Sequence, residues 1–309
     1  MWIILLWAFS ILALAILYHN YMLHLEKEKI RPNGIIVKVD GFDYHVYSEG
    51  EKNDKPTIVV LPGSSMPSPV YNYKKLYSRF ADEYRVAVPE KFGYGYSSIN
   101  DSPRDVDTIL EQTRQALALA GEKPPYILMP HSMSGIEAQM WAHKYPQEVS
   151  GIIGLDMALT RHYEGMNLGS RQTVYKISTH ILRAIGLQRL PLFCTLCGVN
   201  DKDSLTKEEW AQEKYLIARN TLNKMIVAES TKILDSALKV KALGPLHIPM
   251  LLFVSDGKVL KNWLEEYQAF LTTESNAKLV QLDCGHMMHN THAAQITTQS
   301  KEWIESTLL

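Results

Sequence analysis

Hydrophobic residues follow two patterns along this chain, short continuous apolar runs and longer segments with helical spacing. The short runs predict buried strands, because each is mostly apolar and is bounded by glycine, proline or polar residues. They occupy residues 56–61, 84–89, 126–129, 149–155, 249–254 and 277–282. Segments such as 106–120 and 292–309 place apolar residues three and four positions apart, which predicts helices. The alternation indicates an α/β fold, with a mostly parallel sheet covered by helices on both faces.

Two further strands are predicted near the start of this region. Residues 35–47 alternate between apolar and polar around Asp40-Gly41, a dipeptide that favours a tight hairpin turn. With these two antiparallel strands the predicted sheet has eight strands.

One long segment does not follow the alternation of strands and helices. Residues 158–244 contain no clear strand, and 207–238 has helical spacing throughout. We therefore expect a helical cap, 158–244, inserted after the sixth strand of a core made of residues 35–157 and 245–309. A cap in this position covers the carboxyl edge of the sheet, where α/β proteins bind their ligands.

The N-terminus has a different character from the rest of the chain. Its first 18 residues contain no charge, and Ser10 is their one polar residue. This length is sufficient for a membrane-spanning helix, so we expect an uncleaved anchor at 1–23 and a polar stalk at 24–34. A cleaved signal peptide is the alternative. It is disfavoured because no basic residue precedes the apolar run, and because the A-x-A match at 13–15 lies inside that run.

The charges that follow the apolar run predict its orientation. Lys27, Lys29 and Arg31 all lie after the helix. The positive-inside rule then places the main domain in the cytoplasm.

Composition narrows the possible partners. The chain has 309 residues, 46% hydrophobic and 21% charged, with a net charge of −1. Such a balance suits a globular protein with a large core and does not suggest nucleic acid binding. The three cysteines, Cys194, Cys197 and Cys284, are too few for a disulfide framework. The C-x-x-C spacing of the first two lacks a second pair for zinc, so we expect buried thiols in the cap.

Residues 126–135, YILMPHSMSG, contain the strongest chemical signal. An apolar strand runs into a tight turn that carries Ser132, and a helical segment follows. This geometry exposes a hydroxyl beneath a helix N-terminus, which suits a nucleophile. The usual pattern is G-x-S-x-G, whereas this chain has Pro130 and Ser134 at the glycine positions. Taken alone, a serine between a strand and a helix is more often a helix cap.

Four stretches in order along the chain resemble turns of the α/β-hydrolase family, and the resemblance covers residues 35–309. They are LPGS at 61–64, similar to the His-Gly-x turn; EKFGYGYS at 90–97, similar to D-x-x-G-x-G-x-S; PHSMSG at 130–135, similar to G-H-S-M-G-G; and CGH at 284–286, similar to G-x-G-H. The P-H-S-x-S-G form with an N-terminal anchor is similar to a bacterial branch of that family.

The resemblance implies a role for each of these turns. Ser132 would be the nucleophile and His286 the base that takes its proton. The backbone N–H groups of Ser64 and Met133 would form the oxyanion hole. We expect His131 to be a packing residue that points to the other side of the turn. No cofactor is implied, and the H-x-x-H-x-x-H spacing from His286 to residue 292 is not expected to bind a metal.

Two aspartates remain candidates for the acid that would orient His286. Asp256 lies in the loop after the seventh predicted strand, where the family usually places this residue. Asp156 ends the sixth strand in Gly154-Leu155-Asp156, which is similar to the G-L-D-P turn of pancreatic-type lipases. We favour Asp156.

The expected reaction is transfer of an acyl group to water from a small-molecule ester, thioester, lactone or small amide, most simply a carboxylic ester. The cap would supply an apolar acyl pocket from residues Met157, Tyr163, Met166, Leu168, Trp210 and Tyr215. One alternative is an aminopeptidase similar to proline iminopeptidase, which needs acidic cap residues to bind an amine. The candidates have the spacing of solvated helix faces, and they are Glu164, Glu208, Glu209 and Glu213. The other alternative is a binding protein with no catalysis.

Overall fold

One mostly parallel sheet of eight strands organises the computed structural model, which describes residues 2–166, 169, 171–190, 204–260, 262–274 and 276–309. The strands are β1 (Ile35–Val39), β2 (Phe42–Glu49), β3 (Thr57–Leu61), β4 (Val86–Glu90), β5 (Tyr126–Pro130), β6 (Val149–Leu155), β7 (Met250–Val254) and β8 (Ala277–Gln281). Their order across the sheet is β1-β2-β4-β3-β5-β6-β7-β8. The pairs β1–β2 and β2–β4 are antiparallel, and the others are parallel. The predicted fold class is confirmed.

The predicted hairpin is also present. Ile35 pairs with Val46 across β1 and β2, and the connecting residues Asp40 and Gly41 both have positive φ, 50° and 82°. Positive φ at both central residues is what a two-residue type I′ turn requires, and it explains the Asp-Gly sequence.

Both faces of the sheet are buried along its central strands β3, β4, β5 and β7. Along β3, Val59 and Leu61 belong to one hydrophobic cluster, while Ile58 and Val60 belong to a second cluster on the opposite face. Successive side chains of a strand point to opposite faces, and here both faces are apolar. The strand therefore appears in the sequence as a continuous apolar run.

The helices lie on both sides of this sheet and in the segment between β6 and β7. They are α1 (Trp2–Lys27), α2 (Pro69–Asn72), α3 (Lys74–Tyr77), α4 (Val106–Leu119), α5 (Ser134–Lys144), α6 (Arg171–Ala184), α7 (Lys207–Asn220), α8 (Lys224–Lys241), α9 (Trp263–Leu271), α10 (Met288–Thr291) and α11 (Ala293–Thr307). The segment between β6 and β7 carries α6, α7 and α8, together with short 3-10 turns at Thr160–Tyr163 and Leu187–Arg189. We call this segment the cap.

One predicted helix of the cap differs in the structure. The helix expected over 207–238 is divided into α7 and α8, because Leu222 has a φ of 54° and Asn223 caps the new helix. The Asn223 side chain accepts hydrogen bonds from the N–H groups of Met225 and Ile226. A helix-capping side chain of this kind supplies hydrogen-bond partners for the first N–H groups of a helix. The predicted thiol pair Cys194 and Cys197 lies outside the described residues, as does Leu168.

Helix α1 extends further than the predicted anchor. It continues to Lys27, into the segment predicted as a stalk. Among the described residues, Leu5–Lys27 is long and apolar enough to cross a membrane, a test that an N-terminal signal sequence also passes.

Candidate active site

The turn between β5 and α5 holds Ser132 in a half-buried position at the carboxyl edge of the sheet. Ser132 has a φ of 54°, in the left-handed region that side chains other than glycine rarely adopt. The turn must remain small, because a Cβ at Gly135 would press against the carbonyl oxygen of Ala158. Ser134 is accommodated because its hydroxyl bonds to the Leu61 carbonyl at 2.7 Å and accepts the N–H of His131 at 3.0 Å.

His286 lies between Ser132 and Asp156. Its Nε2 is 2.9 Å from Oγ of Ser132, and its Nδ1 is 2.7 Å from Oδ2 of Asp156. The carboxylate of Asp156 can only accept, so it favours the tautomer with the proton on Nδ1. Nε2 is then free to accept a hydrogen bond from the Ser132 hydroxyl.

Asp156 is held rigidly at the end of β6. It is fully buried, and its Oδ1 accepts the N–H of Ser255 at 3.0 Å and Nε1–H of Trp263 at 2.8 Å. Burial by itself raises the pKa of this carboxyl. The hydrogen bonds from His286 and from the Ser255 N–H outweigh that effect and keep its pKa below the ordinary value. Asp156 therefore remains ionised beside the imidazole.

The structure places Asp256, the alternative acid, elsewhere. Its carboxylate pairs with Nζ of Lys258 at 2.7 Å, and that lysine lies at the surface. The lysine hydrogen bond lowers the pKa of Asp256. The N–H of Asp256 donates to the carbonyl of Cys284, so this residue helps to anchor the His286 loop through its backbone.

We predicted that His131 points to the other side of the turn, but in the structure its ring lies against the His286 loop. The Nε2–H of His131 donates to the carbonyl of His286 at 3.1 Å. Nδ1 of the same ring must then be an acceptor, and it accepts the hydrogen bond of the Tyr73 hydroxyl, 2.8 Å away. That hydroxyl in turn accepts the N–H of Gly63 at 3.1 Å. Burial, followed by the nearby imidazoles His286 and His289, holds the pKa of His131 well below its ordinary value. The ring is therefore neutral and can both accept and donate.

We call this series Gly63–Tyr73–His131–His286 the bridging chain, because it joins three loops at the carboxyl edge. His289 packs beside it, with its ring centroid 4.3 Å from that of Tyr73. Burial lowers the pKa of His289 to about 3. Within the described residues no group of three or more His, Cys, Asp or Glu could hold a metal ion.

Ser132 opens into a cavity of about 440 Å³ under the cap. Ser64 and Met133, the predicted oxyanion residues, line the same cavity, and the Ser64 hydroxyl is 2.9 Å from that of Ser230 on α8. The other lining side chains are mostly apolar and include Tyr163, Met166, Tyr175, Ile233, Leu234, Val259, Leu260 and Trp263.

Part of the predicted pocket was wrong. Tyr163 and Met166 line the cavity, but Trp210 and Tyr215 do not, because they lie on α7 rather than on α6 or α8. Met157 is fully buried in the core. The apolar wall comes instead from the helical spacing of Ile233 and Leu234 in α8, a pattern that also suits an ordinary core helix.

The predicted acidic cap residues do not line the cavity either. Glu213, expected on a solvated face, is 2% exposed and accepts hydrogen bonds from Asn72 and Ser68. Its burial raises its pKa to about 8. Glu209 pairs with Lys74 and Glu164 with Lys241.

A buried ionic cluster connects the cap to the core behind this cavity. Glu229 of α8 accepts from Nζ of Lys91 at 2.6 Å and from the Arg104 guanidinium at 3.0 Å. Glu137 of α5 lies 3.4 Å from the same Lys91. All four side chains are at least nine-tenths buried. The cluster therefore joins a cap helix to the helix that follows Ser132.

Comparison with known protein families and sequences agrees with this architecture. A family model described as alpha/beta hydrolase fold matches residues 56–169. The uncharacterized protein YbdG of Bacillus subtilis (strain 168) is 36% identical over 296 residues, which cover 93% of this chain and 90% of YbdG. The uncharacterized protein YqjL of the same organism is 24% identical over 188 residues, covering 56% of this chain and 73% of YqjL.

Solved structures share the fold at low sequence identity. Cfl2 from Burkholderia cenocepacia superposes with a TM-score of 0.69 at 20% identity, covering 87% of this chain and 94% of Cfl2. An epoxide hydrolase from Bacillus megaterium in complex with an inhibitor has a TM-score of 0.67 at 15% identity, covering 88% of this chain and 100% of the enzyme.

Proposed function

Because the chain belongs to the α/β-hydrolase family, we propose that it is a serine hydrolase that cleaves a carboxylic ester through an acyl-enzyme. The observation that supports this proposal is the pair of short contacts from His286, to Oγ of Ser132 at 2.9 Å and to Asp156 at 2.7 Å. A neutral hydroxyl is a weak nucleophile until a base takes its proton, and His286 has the required position.

In the proposed mechanism, Ser132 attacks the acyl carbon while His286 accepts its proton. Asp156 stabilises the imidazolium that forms. The N–H groups of Ser64 and Met133 would bind the oxygen that becomes negatively charged, with help from the N-terminus of α5. His286 then protonates the leaving alcohol, and water attacks the acyl-enzyme by the same route in reverse.

An epoxide substrate fits this site less well, although a structural neighbour is an epoxide hydrolase. Attack of a carboxylate on an epoxide forms an ester, which water can cleave. Attack of the Ser132 hydroxyl on an epoxide would form an ether, and water does not cleave an ether in the way that it cleaves an ester. An acyl substrate returns Ser132 to its starting state and is therefore favoured.

The cavity favours an apolar acyl group. Its wall beside Ser132 is formed largely by apolar side chains, and among the described residues the acids suggested for an aminopeptidase lie outside it. A positively charged substrate amine would lack an anionic partner among the described residues that line it. This absence argues against the aminopeptidase alternative.

We also propose that α1 is an uncleaved single-pass anchor, with the hydrolase domain in the cytoplasm. Cleavage just after the apolar run would cut α1 beside His19, which accepts a hydrogen bond from Arg189 of the cap. The basic residues Lys27, Lys29 and Arg31 follow the apolar run, as they do on the cytoplasmic side of membrane helices.

Covalent labelling tests the proposed nucleophile. A fluorescent fluorophosphonate should label the native chain and should fail to label Ser132→Ala, because the probe reacts with activated serines. Ser178→Ala, which removes an exposed hydroxyl on α6, is the matched control and should label normally. A native chain that is folded but not labelled would contradict the serine hydrolase proposal and favour a binding protein.

The bridging chain provides a second prediction. Tyr73→Phe should lower kcat for an ester substrate by about 10- to 100-fold with little change in KM, because small misplacements of reacting groups are costly. The Phe side chain leaves the N–H of Gly63 without an acceptor and Nδ1 of His131 without a donor. The oxyanion loop and the His286 loop would then lose their common support.

Tyr77→Phe is the matched control for this change. It removes a buried hydroxyl that donates to the Val70 carbonyl at 2.8 Å, close to Tyr73 but outside the bridging chain. Both variants should lose about 1 kcal/mol of stability, and Tyr77→Phe should keep its kcat. Equal kcat values in the two variants would show that Tyr73 has only a structural role.

A further inference from the structure

Helix α1 contacts the cap along a single stripe in its second half. His19 and Glu26 are 3% and 7% exposed, and their separation of seven residues places them on one face of the helix. Arg189 of the cap binds both. Its guanidinium donates to Nδ1 of His19 at 2.9 Å and to the two carboxylate oxygens of Glu26 at 2.8 and 2.7 Å. The cap and α1 are therefore joined directly rather than by a free stalk.

The position of this stripe along α1 limits the distance between the cap and a membrane that α1 spans. The part of α1 before His19, residues 2–18, is about 26 Å long at about 1.5 Å per residue. The hydrocarbon core of a bilayer is about 30 Å thick. Because this length is slightly shorter than the core, all of it is needed to cross, and His19 and the cap residues that touch it must lie at the membrane surface.

Helix α6 has an unusual surface close to this contact. It ends at Ala184, and a Cβ at Gly186 would lie 3.0 Å from His19. Val174, Ile177 and Ile181 share one face of α6 and are 67%, 57% and 53% exposed.

Among the residues of α6, only Thr179 is buried. The basic residues Lys176 and His180 are also exposed. An exposed apolar stripe flanked by basic residues is typical of helices that lie in a membrane interface.

We propose that α6 lies in the interface of the same membrane that α1 spans, so that the cap rests on the bilayer. This inference depends on the proposed anchor and not on the chemistry at Ser132. A bilayer is a better occupant than a second copy of the chain, because the α1 contact already brings this side of the cap to the lipid surface.

The opposite face of α6 borders the site. Gln172 and Tyr175 line the acyl cavity. Helix α6 would then separate the cavity from the lipid.

Single-cysteine labelling of the full chain tests this position. With Cys194, Cys197 and Cys284 replaced by serine, an environment-sensitive fluorophore is attached in turn at Leu12→Cys, Ile177→Cys and Leu119→Cys. The chain is reconstituted in vesicles of phosphatidylcholine and phosphatidylglycerol, with or without brominated acyl chains. We expect the brominated lipids to quench the labels at positions 12 and 177 and not the label at 119.

Leu119 is the matched control, because it is a 54% exposed apolar residue at the end of a helix. It is the last residue of α4 and lies near the amino end of β5, at the edge of the sheet opposite the cap. Quenching at position 12 without quenching at 177 would overturn the proposal. So would shielding of the 177 label from aqueous iodide without quenching by lipid, which would indicate a protein partner. Loss of quenching at position 12 would contradict the proposed anchor as well. Fluorophosphonate labelling of the same vesicles reports separately on Ser132.

Discussion

The Asp156→Asn variant is expected to hydrolyse an ester substrate with a kcat about 10⁴-fold below that of the native chain. The reason lies in the donors around this side chain. Oδ1 of Asp156 already accepts the N–H of Ser255 and Nε1–H of Trp263. An Asn side chain must keep its single oxygen towards those two donors, which turns its NH₂ group towards His286.

That NH₂ group can only donate, so Nδ1 of His286 would become an acceptor and its proton would move to Nε2. Nε2 could then no longer take the proton of Ser132, from which it is 2.9 Å away. Fluorophosphonate labelling of this variant should slow by a similar factor, while its fold and thermal midpoint remain close to those of the native chain.

Asp256→Asn is the control for this prediction. It breaks the surface pair with Lys258, and exposed pairs contribute little. Its kcat should stay within about twofold of the native value. If Asp256→Asn abolishes activity and Asp156→Asn does not, the site works in a different conformation and the order of the two acids is reversed.

The centre of the sheet could be predicted from the sequence because its strands there are apolar on both faces. Residues 149–155 formed a continuous apolar run and became β6 with the same bounds. The hairpin at Asp40-Gly41 was equally predictable, since positive φ at both residues restricts the sequence. The boundary between α7 and α8 was missed because Leu222 carries no turn signal in the sequence.

The serine and histidine of the site could be proposed from local motifs, and their catalytic roles remain predictions. The sequence favoured Asp156 as the acid but left Asp256 open, because two loops at the same edge of the sheet both carry an aspartate. In the structure Asp156 lies 2.7 Å from Nδ1 of His286, and its Oδ1 accepts the indole N–H of Trp263 at 2.8 Å. The bridging chain was not visible in the sequence either, since Tyr73 matches no motif and is distant from His131 in the chain.

The cap was the least predictable part. Glu213 was expected to be solvated, because an acid in a helical pattern usually lies on the outer face. It is buried since α7 packs its polar face against Ser68 and Asn72. Glu229 of α8 is buried for a similar reason and pairs with Lys91 and Arg104 of the core. Buried charges that pair across two parts of a fold leave no periodic signal in either part.

Glu229→Ala is therefore expected to destabilise the full chain in detergent by about 3–5 kcal/mol, because it leaves Lys91 and Arg104 buried without their main anionic partner. Glu266→Ala, which removes the carboxylate of a partly exposed pair with Arg161, should cost less than about 1 kcal/mol. Thermal and urea midpoints of the two variants provide the comparison. Burial raises the pKa of Glu229, but Lys91 and Arg104 outweigh it and hold that pKa below the ordinary value.

A group with a depressed folded pKa stabilises the protein above its unfolded pKa, and this contribution disappears as the pH falls through the folded value. The gap in stability between the native chain and Glu229→Gln should accordingly be largest near neutral pH and should narrow in acid. Equal stabilities of Glu229→Ala and Glu266→Ala at neutral pH would show that water reaches the cluster. The cap would then be held on the core mainly by its apolar contacts, such as the packing of Met225 into the buried core.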